Sequence, residues 1–201
     1  MLSQILVPED RTMSTEKLVA GVAGLAGSGK SLVVSVAVRS GYAVVTMGDE
    51  VRNEAKRRGL EPTPANLGMV MLELRQKEGD SVIAERCTPK IRNADRDKIV
   101  VDGVRSLAEV EEFRKSFPNF TLIAIHSSPE TRFNRLYHRR RSDDPKDWQV
   151  FRDRDLRELG VGLGSAIAMA EHVIVNEGEL EKAKAQAAQI LRKVETQWKK
   201  Q

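Results

Sequence analysis

Gly24-Leu25-Ala26-Gly27-Ser28-Gly29-Lys30-Ser31 has the spacing G-x-x-x-x-G-K-S, which restricts both the local path of the backbone and what must flank it. The small residues let the chain curl so that successive N–H groups turn inward toward an anion, close to a helix N-terminus. The flanks agree with this. Leu18-Val19-Ala20-Gly21-Val22-Ala23 is a short apolar run suited to a buried parallel strand, and residues 32–38 suit a first helix. A chance Gly-Ser turn would carry neither flank. On this reading the backbone of Gly24, Leu25, Ala26, Gly27, Ser28 and Gly29 cradles a triphosphate. Lys30 then sets a point charge on the β- and γ-phosphates, and Ser31 offers its hydroxyl to Mg²⁺. ATP is the expected cofactor, with Mg²⁺.

Further apolar runs at residues 43–47, 99–102, 121–126 and His172–Val175 are short, as strands covered by helices on both faces are. Helix starts alternate with them. Ser106-Leu107-Ala108-Glu109 has the form of a capping box, opening a helix to about residue 116. Thr63-Pro64, Ser128-Pro129 and Asp144-Pro145 each pair a cap residue with proline at the first helical position. From Glu179 onward, Leu180, Ala183, Ala187, Ile190, Leu191 and Val194 recur at helical spacing and predict a closing helix packed on the sheet.

The strand-helix alternation predicts a single α/β domain spanning 1–201, with residues 1–16 as an N-terminal arm and Met13 as an alternative start. Residues 48–98 look helical and far exceed the roughly dozen residues a crossover needs, so they predict an accessory lobe. Residues 132–158 are crowded with arginine and predict a lid. A core with two flaps is a geometry that can shield a phosphoryl group from water.

Three groups of residues at the carboxyl ends of the strands are candidates for chemistry. Asp102 ends the apolar strand Ile99-Val100-Val101 and would hold Mg²⁺ or orient Ser31, unless it only caps the turn. Arg105 leaves the same edge three residues later, where open α/β sheets place ligands. Asp49 and Arg52 follow the second strand. Asp49 could orient or deprotonate an acceptor hydroxyl and Arg52 could clamp an acceptor phosphate. Equally, Asp49 could cap the next helix and Arg52 could lie on its solvated face. Arg132, Arg135 and Arg139 share a helix face by spacing, and Arg140 and Arg141 run on from it. They read as a lid over the triphosphate, with Arg139 and Arg141 closing on the transition state, as a solvated basic helix end, or as a nucleic-acid patch. The third reading is the least favoured, because only Phe133 and Tyr137 are at hand to stack on bases. The run Arg152-Asp153-Arg154-Asp155 could pair internally or return an arginine to the closed site.

Composition narrows the class. With 201 residues, 40% hydrophobic and 31% charged, the chain has the material for one folded core. No apolar run nears the roughly 20 residues that span a bilayer. The three histidines lack metal-ligand spacing. The single cysteine, Cys87, reads as a small buried residue and suits a reducing, cytoplasmic setting. A net charge of +4 suits anionic partners.

Taken in order, GLAGSGKS (24–31), GDEVR (48–52), VVDGVR (100–105), the arginine-rich lid and VIVNEG (173–178) resemble the nucleoside monophosphate kinases. Adenylate kinase is the familiar member and dephospho-coenzyme A kinase a near cousin. The whole chain is more closely similar to an archaeal family of adenylate-kinase-related ATPases, through MGDEVRNEAKRRGLEPT (47–63), LRQKEGDSVIAERC (74–87), RRRSDDPKDW (139–148) and RDLRELGVGLG (154–164). The resemblance implies a three-layer P-loop fold with a five-stranded parallel sheet in the order 2-3-1-4-5, ATP binding, and a small phosphorylated acceptor facing Asp49, Arg52 and Arg105. It also implies that backbone near Asn176 and Gly178 lines the adenine. The chain differs from these relatives in having Val104 where proline often precedes the arginine, no four-cysteine lid cluster, and only the second acid of Asp-x-Asp at Asp49.

Overall fold

The apolar runs assemble into one parallel sheet. In the computed structural model, residues 17–140 and 144–199 are described. The arm at 1–16, with Met13, and the lid residue Arg141 lie outside them. The strands are β1 (Leu18–Ala23), β2 (Ala43–Thr46), β3 (Lys98–Val104), β4 (Phe120–His126) and β5 (His172–Val175), ordered β2-β3-β1-β4-β5 and all parallel.

The helices are α1 (Lys30–Arg39), α2 (Met47–Arg57), α3 (Pro64–Glu78), α4 (Val82–Arg92), α5 (Leu107–Ser116), α6 (Pro129–Arg139), α7 (Trp148–Gly160), α8 (Leu163–Ala168) and α9 (Leu180–Trp198). Alternate strand residues feed two cores, because successive side chains leave a strand on opposite faces. Val19, Ala23, Ile99, Val101 and Leu122 pack with side chains of α2, α3, α4, α5 and α8. Ala20, Val22, Val100, Ile123, Ile125 and Ile174 pack with those of α1 and α9. The result is three layers, with β1 buried along its whole length.

Local signals set most of the helix starts. Thr63 accepts from the Asn66 amide at 3.2 Å and Ser128 from the Thr131 amide at 3.3 Å, each with proline opening the helix. Asp144-Pro145 does not open α7. Asp147 does, accepting from the Val150 amide at 2.9 Å, while Asp144 pairs with Arg139. Ser106 caps α5 at 3.2 Å, but Glu109 reaches one residue further back than a capping box requires. A third, smaller cluster of Phe133, Leu136 and Phe151 seats α7 against α6. Phe133 meets Trp148 and Phe151 edge-on, with ring centroids at 5.3 and 5.5 Å. No helix among the described residues is long and apolar enough to cross a membrane.

Candidate functional site

The loop between β1 and α1 is held open by its carbonyls. Arg132 Nη1 donates to Ala26 O at 3.3 Å, Arg135 Nη1 to Gly27 O at 3.5 Å, and Asn176 Nδ2 to Ser28 O at 2.8 Å. In a trans peptide the next N–H points the opposite way, so the amides of Gly27 and Gly29 turn toward the cavity these residues line. Glycine is required at both. Gly27 has φ +81°, and a Cβ there would lie 2.7 Å from Arg132 O. Gly29 has φ +107°, and a Cβ would collide with Asn176 Nδ2.

Lys30 opens α1 and folds back to donate to Gly24 O at 2.6 Å. Burial pulls its ammonium down from the usual 10.5 to about 8, against the pull of Glu158 and Asp102 and with that of Arg105 and Arg154. Ser31 is exposed to the same space. Asp102 lies in β3 opposite Val22 of β1 and Thr46 of β2, and its Oδ1 is buried without a hydrogen-bond partner in the protein. A hydroxyl and a carboxylate oxygen facing one space are the hard donors that Mg²⁺ takes, with phosphate oxygens completing the shell. The residues therefore fit the ion. The cavity has a volume of about 400 Å³, and Arg105, Arg135, Arg139, Arg154 and Glu158 complete its wall.

A second cavity of about 320 Å³ opens beside it. Val51, Pro62, Pro64, Leu67, Met71 and Val150 form an apolar wall, and Arg52, Arg105, Arg154 and Arg157 a cationic one. Gly48, Arg52, Arg105, Arg154 and Glu158 line both cavities, so the two meet there. The helical turn of α2 aims Gly48, Val51 and Arg52 at the second cavity and turns Asp49 away. Asp49 lines neither space. It is 53% exposed and held by Arg52 at 2.5 Å. Of the two readings open for Asp49, its place outside both cavities and its pairing with Arg52 favour the one on the solvated side of α2.

Sequence reasoning missed Glu158. On α7 its side chain is 15% exposed, with oxygens 3.5 Å from Arg105 Nε and 3.9 Å from Arg154 Nε. Burial works to raise its carboxyl, but Arg105, Lys30 and Arg154 outweigh that and hold it below the ordinary value. Nothing in the local spacing distinguishes this acid from its neighbours. Its role depends on where α7 lands.

The arginines divide. Arg132 is buried and forks onto Asp155 at 2.8 and 2.6 Å, so it is a strut and not a lid finger. Arg135 donates to Ser127 Oγ and to Asn176 O. Arg139 reaches the nucleotide-side cavity and also binds Asp144 at 2.5 Å. Phe133 and Tyr137 pack on one another, with Phe133 also meeting Trp148 and Phe151. Asn176 was expected to present backbone to a base. Instead its N–H donates to His126 O at 2.8 Å and its O accepts from Ser127 and Arg135, which commits it to bracing the loop. Cys87 is buried in α4 and its thiol is pushed up to about 12, chiefly by burial.

The AAA domain family matches residues 23–152. A UPF0200 protein of Hyperthermus butylicus is 49% identical over 175 residues, covering 87% of this chain and 94% of the relative. A UPF0200 protein of Methanocaldococcus jannaschii is 47% identical over 88% and 90% of the two chains. A gluconokinase from Sinorhizobium meliloti superposes with a TM-score of 0.56 at 17% identity, covering 92% of this chain and 97% of that one. A shikimate kinase from Bacteroides thetaiotaomicron also gives 0.56, at 13% identity over 87% and 98%. At such identities the likeness is one of fold. The chain belongs to the UPF0200 family and to the AAA domain family, built on a P-loop kinase fold.

Proposed function

We propose that this chain is a phosphotransferase that moves the γ-phosphoryl group of ATP to a small anionic acceptor. One observation carries the reading: a phosphate-loop cavity opens directly into a second cavity with an apolar wall and a cationic wall. A regulatory ATPase needs the first and has no use for the second.

In this reading the inward amides of Gly27 and Gly29 and the ammonium of Lys30 hold the phosphates. Ser31 and Asp102 hold Mg²⁺, which neutralises phosphate charge when bound. Arg52 and Arg157 orient the acceptor's anionic group, and the apolar residues of α2 and α3 take its flat or aliphatic part. Four arginines against Asp144 and Glu158 make the second cavity a cationic one, which is why the acceptor is anionic. Arg105, Arg139 and Arg154 surround the point where the cavities meet and offset charge on the transferring group.

The test is incubation with γ-labelled ATP, Mg²⁺ and a panel of nucleoside monophosphates and dephospho-coenzyme A. The expected result is a labelled small-molecule product that disappears with Lys30→Ala. Hydrolysis stimulated by RNA or a protein, with no transfer to any small acceptor, would turn the reading toward a regulatory ATPase. ATP affinity unchanged by Lys30→Ala in calorimetry would remove the loop assignment altogether.

A further inference from the structure

Glu158 is the acidic side chain common to the walls of both cavities among the described residues. Asp155, three residues earlier on α7, shows what a structural acid looks like in this helix: it is gripped by both arms of Arg132 at 2.8 and 2.6 Å. Glu158 is held differently. Its arginine contacts are longer, with a stretched hydrogen bond from Arg105 Nε at 3.5 Å and Arg154 Nε at 3.9 Å, and it lines both cavities where they meet.

A carboxylate at that junction is informative about the nucleophile. A phosphate acceptor arrives already ionised, needs no base, and is repelled by a fixed negative charge. An alcohol keeps its proton at neutral pH and must lose it as its oxygen bonds to phosphorus. We propose that the group phosphorylated is a hydroxyl of the anionic acceptor, and that Glu158 is the base that takes its proton.

The step balances. The hydroxyl oxygen bonds to the γ-phosphorus while its proton passes to Glu158. The bond from the γ-phosphorus to the β–γ bridging oxygen breaks, and ADP leaves with that electron pair. Glu158 afterwards gives the proton to water. Arg105, Arg154 and Lys30 keep Glu158 ionised in the ligand-free protein. Once these cations engage phosphate oxygens, their hold on the carboxylate is shared and its basicity rises.

The inference rests on the phosphotransferase reading, and one experiment separates the two. Wild type, E158Q and E158D are assayed with γ-labelled ATP, Mg²⁺, AMP, CMP, GMP, UMP and dephospho-coenzyme A. The linkage in the product is determined by ³¹P NMR, rates are followed against pH, and ATP affinity is measured by calorimetry. The expected product is a phosphate monoester. E158Q should lower transfer, and hydrolysis by water, by about 10²–10⁴-fold, the usual span for a lost general base. Its ATP Kd should change far less than its rate, because Glu158 acts on Lys30 only through its charge and holds no phosphate itself. The acid-side fall of the wild-type rate should vanish in E158Q, and E158D should recover part of it. A phosphoanhydride product, or full turnover by E158Q, removes Glu158 as the base and leaves phosphotransfer standing. A wild-type protein that transfers phosphate to none of these compounds, whether or not it hydrolyses ATP, overturns the phosphotransferase reading and this inference together.

Discussion

Asn176, just past β5, donates its side-chain amide to the carbonyl of Ser28 at 2.8 Å, joining the far edge of the sheet to the crown of the phosphate loop. Ser127 strengthens the link, donating to Asn176 O at 2.6 Å and to Ser28 O at 3.3 Å. Asn176→Ala removes the strut and leaves a buried carbonyl under-satisfied. We expect a loss of about 1–3 kcal/mol of stability, the usual cost of such a group, in urea unfolding. ATP affinity should fall with it in calorimetry. A destabilised protein that binds ATP as tightly as wild type would show that the strut does not shape the loop.

The pair Arg132–Asp155 is nearly out of water and also touches Ala26 O. Removing one partner strands the other charge, so Arg132→Met or Asp155→Asn should each cost about 3–5 kcal/mol in chemical denaturation. Replacing both, as Arg132→Met with Asp155→Leu, should cost less than either alone, because no buried charge is left over. A double variant as unstable as the sum of the singles would mean that the two residues act independently.

The frame of the site is legible in the sequence because its signals are local. GLAGSGKS carries its own turn chemistry, and Asp102 follows a plain apolar run, although β3 continues past it to Val104. The strand order came from resemblance, since pairing is not written in any one segment. What stayed hidden depended on how helices dock. The three- and four-residue spacing does put Arg132, Arg135 and Arg139 along one face, but aromatic packing against α7 presses its first two members onto the loop carbonyls. Glu158 looks like one more charge on a charged helix until α7 is placed beside Arg105. Asp49, conspicuous at the start of its helix, is turned outward by the phase of α2.

Lys30 gives a pH test with a definite sign. Burial brings its ammonium down from the usual 10.5 to about 8, so it is charged at pH 7 and largely neutral at pH 9. A bound triphosphate favours the charged form and raises the value again. Binding near pH 8 should therefore take up a proton, seen as a dependence of binding heat on buffer ionisation, and affinity should fall as pH rises above about 8. Lys30→Arg stays charged throughout and should show no uptake from this group. Equal binding heats in all buffers at pH 8 would contradict the assignment.

Asp102 Oδ1 is buried with no hydrogen-bond partner in the protein, so its replacement should be felt chiefly when the ion is present. Asp102→Asn is expected to weaken ATP binding about tenfold or more with Mg²⁺, on the order of the 1.4 kcal/mol that a factor of ten represents. With EDTA, binding should be unchanged or slightly tighter, since a negative charge near the phosphates has gone. An equal loss under both conditions would place Asp102 in the scaffold and not at the ion.

Glu109 ties the outer helices to the acceptor side. It is fully buried, accepts the Arg105 backbone amide at 2.6 Å with one oxygen, and takes the guanidinium of Arg75 on the other. Arg75 belongs to α3, which forms the apolar wall of the second cavity, so one buried carboxylate fixes both that wall and Arg105. Arg75→Met keeps the bulk and strands the charge of Glu109. It should cost about 3–5 kcal/mol in denaturant unfolding. Its kinetic signature should be a raised KM for the acceptor with a smaller change in ATP affinity, because Lys30, Ser31 and the loop glycines do not depend on Glu109, although Arg105 does. Arg75→Met with Glu109→Gln should recover part of the stability but not the acceptor KM, since the neutral amide holds the Arg105 backbone less firmly. A single variant that loses ATP affinity and acceptor affinity alike would show that the link serves the whole sheet edge and not the acceptor side.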